Sequence, residues 1–296
     1  MAIFQPTISG GGGSAPAHYI EKTVNASGSL QSKPTEFIDL TGVTGLSSYI
    51  LAYAYWEDTN LSGDIVFPDL LTISGGSALL ECFYSATKIT GIKFPHLTTI
   101  SGNSACQGMC LSCVNLVNVE FPSLVTVSSM LALKEAFRDT KVVTVSFPSL
   151  STLTGQQCLS QCFSACRSLI SVWFYALTPS SFDTRTNQFS NMLQGLSNKT
   201  VHFPMAIQST IGSWSDVTNG FGGTNTTVLF DIVTSLTGAD SNTYTRKQKE
   251  STATATAWTY NDTLYYTSGT TEPSVGDTIY SDSACTTAVT TISAIA

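Results

Sequence analysis

Charge is scarce in this chain. Of its 296 residues, 13 are Lys or Arg and 20 are Asp or Glu, together 11%, against about a quarter in an average soluble protein. The formal net charge is −7. Proteins that hold nucleic acid do so with clustered Lys and Arg, so this balance argues against a nucleic-acid partner. Histidine is scarcer still: His18, His96 and His202 are the only three, thin material for acid–base catalysis. No apolar run approaches the roughly 18 residues of a membrane-spanning helix, which argues against insertion by that route. The opening MAIFQPTISGGGGSAPAHYIEK has neither the basic start nor the apolar core of a secretory signal. G-x-S-x-G, H-E-x-x-H, Walker and Rossmann glycine fingerprints are all missing. The expectation is a protein that is not an enzyme and needs no cofactor.

Hydroxyls are abundant instead: Ser and Thr together occupy 81 positions. The dominant signal is an internal repeat. Phe-Pro recurs at Phe67, Phe94, Phe121, Phe147 and Phe203, and Phe174 divides the last interval, giving a period of about 27 residues. Aligned on the Phe, other positions fall into register. Leu70, Leu97, Leu124, Leu150 and Leu177 follow by three, and Ile73, Ile100, Val127 and Leu153 by six. Phe83, Cys110, Phe137 and Phe163 follow by 16, and Ile89, Leu116, Val143 and Leu169 by 22. A decayed unit starts at Leu40. A 27-residue unit cannot bury its own apolar side chains, but stacked units bury them against one another, so the repeat predicts a solenoid. TGIKFP, VNVEFP, VTVSFP, ISVWFY and KTVHFP alternate apolar and polar and read as short strands, parallel between coils. ALLECFYSAT, MLALKEAFRDT and QCLSQCFSACRSL carry apolar residues three and four apart, which predicts a helical turn or two on the opposite side.

The phrases IKFPHLTTIS and VEFPSLVTVS, followed by Cys-Phe-x-x-Ala or Cys-Phe-x-x-Cys and then Ile89 or Leu169, resemble the BspA-like, or Treponema-type, leucine-rich repeats. The resemblance covers roughly residues 38–210. Phe stands where such families often carry Ile, and the unit from Phe174 to Val201 is irregular, with TPSSFDTRTNQFS inserted. It implies a curved solenoid that binds macromolecules or cell surfaces and carries no catalytic chemistry. The fold expected is therefore of mixed α/β class: a β-rich leucine-rich-repeat solenoid followed by a small all-β module.

Cys106-x3-Cys110-x2-Cys113 has the spacing of an iron–sulfur motif, and Cys158, Cys162 and Cys166 form a second thiol run. Yet the repeat puts Leu, Phe and Ala at these same positions in other units. A cysteine interchangeable with Leu and Phe is a small buried hydrophobe, so no metal is expected.

Three segments result. Residues 1–37 comprise a short apolar peg (Ile3 to Ile8), a glycine hinge (Gly10 to Gly13) and a lead-in strand. Residues 38–225 form the solenoid. Residues 226–296 are Thr-rich, with Trp258, Tyr260, Leu264 and Tyr266 alternating about an Asn261-Asp262 turn, and predict an antiparallel β module. This module is similar in texture to small β modules at the ends of surface and virion proteins.

Strand parity places Lys93, Glu120, Ser146, Trp173 and His202 in one outward column. His96 follows two residues after its Phe, and Tyr175 replaces the repeat's proline. Trp and Tyr favour binding hot spots. The candidate ligand-binding residues are Lys93, His96, Glu120, Trp173, Tyr175 and His202. The expectation is a virion structural or recognition protein: a phage tail, fibre or capsid-decoration component. It would meet a host cell-surface protein or glycan through the strand face and other virion proteins through the N-terminal segment, with self-association of copies left open. The alternative is a bacterial surface adhesin of the BspA type.

Overall fold

The computed structural model describes residues 40–181, 187–211, 220–248, 251, 254–269 and 272–296. The N-terminal peg and hinge, and the middle of the TPSSFDTRTNQFS insertion, lie outside these residues. Strands are numbered β1 to β18 along the chain.

The repeat folds as a solenoid of stacked coils. Three strands on one face, β2 (Ser62–Val66), β4 (Lys88–Lys93) and β6 (Asn118–Glu120), form a parallel sheet. The same face continues as β8 (Thr144–Phe147), β10 (Ser171–Phe174), β11 (Thr200–Pro204) and β12 (Thr227–Ile232), again parallel. A second face carries five two-residue strands, β1 (Gly45–Leu46), β3 (Thr72–Ile73), β5 (Thr99–Ile100), β7 (Thr126–Val127) and β9 (Thr152–Leu153). Each pairs with the strand one repeat later, Thr72 with Thr99 and Thr99 with Thr126. Since β12 pairs with β11, the solenoid sheet runs to Ile232, past residue 225.

The Phe of each repeat points inward and stacks on its neighbour. Ring centroids are 4.5 Å apart for Phe67 and Phe94, 5.0 Å for Phe94 and Phe121, and 6.0 Å for Phe121 and Phe147. The column continues at 5.2 Å through Phe174 to Phe203 and ends on Phe230 at 5.8 Å. Offset aromatic stacking adds to the area each ring buries. The widest of these gaps falls where the repeat is one residue short. There the outer sheet also divides, and β6 does not pair with β8. The missing residue shifts the phase locally: Val142 is buried where the repeat predicts Val143, and Val143 is 40% exposed.

The third face corrects the sequence reading. The stretches expected to be helical are ribbons of consecutive turns, and among the described residues α-helix is confined to Gln208–Ile211 (α1). In the second coil, Leu80, Cys82, Tyr84 and Ala86 donate to the carbonyls three residues back. The intervening Ser77, Leu79, Glu81, Phe83 and Ser85 donate to Asn103, Ala105, Gln107, Met109 and Leu111 of the next coil. Half the amides thus close local turns and half knit coils together. Every fourth residue has positive φ: Ser77, Glu81 and Ser85, then Ser104, Gly108 and Ser112. Buried residues recur in pairs four apart, as Ala78-Leu79 and Cys82-Phe83, and then Ala86. Over nine residues this pattern resembles the 3.6-residue period of a helix.

At the corner between the short strand and the ribbon, successive coils touch through their backbones. A Cβ on Gly102 would overlap the Gly75 carbonyl, and one on Gly155 would overlap the Ser129 carbonyl. Ser129 itself occupies the same column and turns its hydroxyl into a donor to the Gly102 carbonyl (2.6 Å).

The C-terminal strands β13 (Ser235–Gly238), β14 (Thr243–Arg246), β15 (Ala255–Tyr260), β16 (Thr263–Ser268), β17 (Thr278–Tyr280) and β18 (Ala288–Ile295) close into an antiparallel barrel. Asn261 and Asp262, both at positive φ, make the two-residue turn between β15 and β16. Trp258, Tyr244, Leu236, Ile279 and Ile292 fill the barrel. Trp258 donates its indole N–H to Thr267 Oγ1 (3.0 Å).

Candidate binding surfaces

The six candidate residues separate into two groups. Lys93, His96 and Glu120 lie on the first outer sheet. Lys93 Nζ sits 2.8 Å from Asp64 Oδ2 and 3.4 Å from Glu120 Oε1, so three successive strands share one charge ladder. Asp64 also accepts from Thr90 Oγ1 (2.9 Å). The Lys93 hydrogen bond, reinforced by Thr90, holds the Asp64 carboxyl below its ordinary value. His96 and Glu120 are exposed. Ser123 and Ser149, the counterparts of His96 in later coils, instead donate to the carbonyls of Pro95 (2.7 Å) and Pro122 (2.9 Å). Their hydroxyls fasten the proline corner and leave His96 as the side chain there that reaches outward with a ring.

Trp173, Tyr175 and His202 lie on the second outer sheet. Parity holds, since Trp173 and His202 are register partners, and their rings lie parallel with centroids 3.4 Å apart. Burial departs from the sequence reading. His202 is only 8% exposed: Trp173 covers one face, and Nδ1 meets the Asp231 carboxylate at 2.9 Å. Trp173 is half-buried, donates to Ser171 Oγ (2.9 Å) and stacks 5.7 Å from Tyr175. Arg246 of β14 then lies over Tyr175 at 5.0 Å and over Trp258 at 5.7 Å. The guanidinium pairs with Glu272 and donates to the Val233 carbonyl (2.9 Å), while the Val233 amide donates to Glu272 (2.8 Å). Burial pushes the Tyr175 phenol up. His202, Trp173, Tyr175, Arg246 and Trp258 therefore form one chain of ring and guanidinium contacts joining the solenoid to the barrel.

The thiols at 82, 106, 110, 113, 158, 162 and 166 all lie in the core and form no disulfide; Cys285 of the barrel is partly exposed. Cys110 takes the place of a ring between Phe83 and Phe137. Cys113 donates to the Phe83 carbonyl (2.9 Å), as Cys166 does to Phe137 (2.9 Å). Burial drives the Cys106, Cys110, Cys158 and Cys162 thiols far above their ordinary range. Among the described residues no three His, Cys, Asp or Glu side chains converge as a metal site would require.

The sequence reading passed over a further surface. On the outer side of the first two ribbons, Tyr49 is 63% and Trp56 37% exposed, and Tyr53 and Tyr84 are half-buried beside them. Trp56 and Tyr84, at equivalent positions of adjacent coils, meet at a tilt of 32° with centroids 5.7 Å apart. The signal was the four-residue spacing of Tyr49 and Tyr53, legible only once the ribbon period is known.

No family model matches the chain, and neither a curated protein nor a solved structure matches it.

Proposed function

We propose that this chain is a non-enzymatic recognition protein of a virion, a tail, fibre or capsid-decoration component, whose solenoid is a rigid display surface. The observation that carries this reading is the column architecture: side chains one repeat apart stand in line on neighbouring parallel strands, as Asp64, Lys93 and Glu120 do. The interior is packed with rings and thiols, so chemistry offered to a partner stands on the outer faces. Low charge and abundant hydroxyls suit an exposed adhesive surface. A bacterial surface adhesin of the BspA type is the second reading, favoured by the likeness of the Phe-Pro phrases to that leucine-rich repeat. Neighbouring genes separate the two: tail or capsid genes favour the first, a secretion or wall-anchoring cassette the second. Because Trp173→Ala would also loosen the joint to the barrel, the direct test uses the group on the first outer sheet. Labelled protein carrying Lys93→Ala, His96→Ala and Glu120→Ala together should melt like the parent and bind host cells at least about 30-fold more weakly, the size of one lost hot spot. Unchanged binding would remove recognition from this sheet.

A further inference from the structure

The outer face of the solenoid ends differently at its two ends. At the first, Tyr55 and Phe67 are fully buried. At the last, β12 pairs with β11 on one side, and among the described residues no strand pairs with it on the other. Phe230, the last ring of the column, is only half-buried, as is Val228, and Leu229 is 36% exposed. The Thr227 amide donates to the Lys199 carbonyl (2.8 Å). Alternation along a parallel strand then turns the backbone groups of Thr227 and Leu229 toward β11 and those of Val228 and Phe230 away from it. An apolar edge of this kind is a template for another strand, and proteins usually guard it with Lys, Pro or a twist. Residues 227–232, TVLFDI, contain neither Lys nor Pro. Their single charge, Asp231, is engaged by His202 at 2.9 Å, and the bulge opposite Pro204 lies at the far end of the strand. The barrel is closed and offers no free edge of its own.

The sequence of β12 selects the strand that fits. Set antiparallel to itself about Leu229, its Val228 and Phe230 would exchange amide–carbonyl bonds with Phe230 and Val228 of a second copy. The two Leu229 side chains would meet as a non-hydrogen-bonded pair, the closer of the two kinds, and cover each other. On the core face Val228 would lie against Phe230 of the second copy, and cross-strand apolar pairs of this sort stabilise a sheet. Asp231 falls opposite Thr227, so no like charges face each other. A register centred on Asp231 would set two carboxylates together. We propose that two copies of this chain pair through the free edges of β12, antiparallel and centred on Leu229, as a closed twofold dimer. Each barrel follows the C-terminal end of its own β12, so the two leave the joined sheet at opposite ends. The pairing uses both free edges, so assembly stops at two.

The test is sedimentation equilibrium of the full chain over roughly a hundredfold range of concentration, wide enough to carry a monomer–dimer equilibrium across its midpoint. Reductant keeps the partly exposed Cys285 from linking copies. The mass should rise from one chain to two and no further. Leu229→Lys and Leu229→Glu alter a side chain that is exposed in the single copy, and both should melt like the parent. Each alone should weaken dimerisation at least about tenfold, since like charges then stand directly opposite. An equimolar mixture of the two should restore the dimer, because Lys then faces Glu, and that recovery requires residue 229 to face itself. Val228→Pro, which removes an outward N–H and no bond to β11, is the second variant should the Leu229 changes fail to fold, and it should also leave a monomer. A parent that stays monomeric, a mass that passes two chains, single variants that dimerise like the parent, or a mixture that stays monomeric would overturn the proposal. Lys93, His96 and Glu120 lie on the other outer sheet, so host-cell binding can fail or survive independently of this result.

Discussion

Replacing Phe121 by Ala removes one ring from the central column at its weakest point. Phe121 is 1% exposed. It stacks on Phe94 at 5.0 Å and on Phe147 at 6.0 Å, and meets Phe137 edge-on at 6.1 Å. Large-to-small changes of this kind cost about 3–5 kcal/mol. At about 2–4 °C per kcal/mol for a unit of this size, the midpoint should fall by about 6–20 °C. Location adds a second signature. Between β6 and β8 the outer strands are not paired, so coupling across that step rests on the rings, the short strands, the turn ribbon and a few hydrogen bonds, such as Ser149 to the Pro122 carbonyl and the Lys141 amide to the Leu116 carbonyl. Each coil contacts only its neighbours, so damage at one step should divide the stack. Phe121→Ala is expected to unfold in two separable phases by calorimetry, with amide exchange rising first on one side of the step. Phe94→Ala, flanked by paired strands on both sides, should lose similar stability in a single transition. If Phe121→Ala melts within a degree or two of the parent, the ring column is not what holds the coils. If both variants unfold in one phase, the sheet division has no energetic meaning.

Gly102→Ala would force a methyl into the Gly75 carbonyl and should cost several kcal/mol, on the order of core overpacking, whereas Ser129→Ala loses one hydrogen bond and should cost about 1 kcal/mol; urea midpoints distinguish the two. Arg246→Ala leaves the Val233 carbonyl without the Arg246 donor, and Glu272 without its cation and holding only the Val233 amide, at a mostly buried joint. A loss of about 3–5 kcal/mol and faster proteolytic separation of barrel from solenoid are expected, and intact docking would refute the joint. Burial raises the Cys106, Cys110, Cys158, Cys162 and Cys166 thiols, and a raised pKa means less thiolate at a given pH. At pH 8 only Cys285 should react promptly with a thiol reagent, although burial and Asp282 raise it too, and all eight cysteines should react in guanidinium. Prompt labelling of two or more in the folded protein would contradict the buried assignment.

Much of this fold was legible because a repeat states each instruction several times. The Phe-Pro spacing gave the parallel strands and the inward rings, and interchange with Leu and Phe placed the cysteines in the core. The ribbon was not legible, because its hydrogen bonds join residues such as Leu79 and Ala105, and a local pattern of buried pairs fits a short helix equally well. Parity oriented His202 and Trp173 correctly. They cover one another, Asp231 closes on His202, and Trp173 stacks on Tyr175, which the barrel's Arg246 covers in turn; no periodicity within the solenoid reports on Asp231 or Arg246.

The step between Phe121 and Phe147 also says how such a chain can change over generations. Gain or loss of a whole 27-residue unit leaves every coil facing a neighbour of the same phase, and alters length by about one interstrand spacing, ~4.8 Å. A single-residue deletion behaves like a dislocation in a crystal: the outer sheet parts at that point while the inner column closes over it. Homologues should therefore differ in coil number far more readily than in coil length, and a virion that carried them would vary its reach in fixed increments.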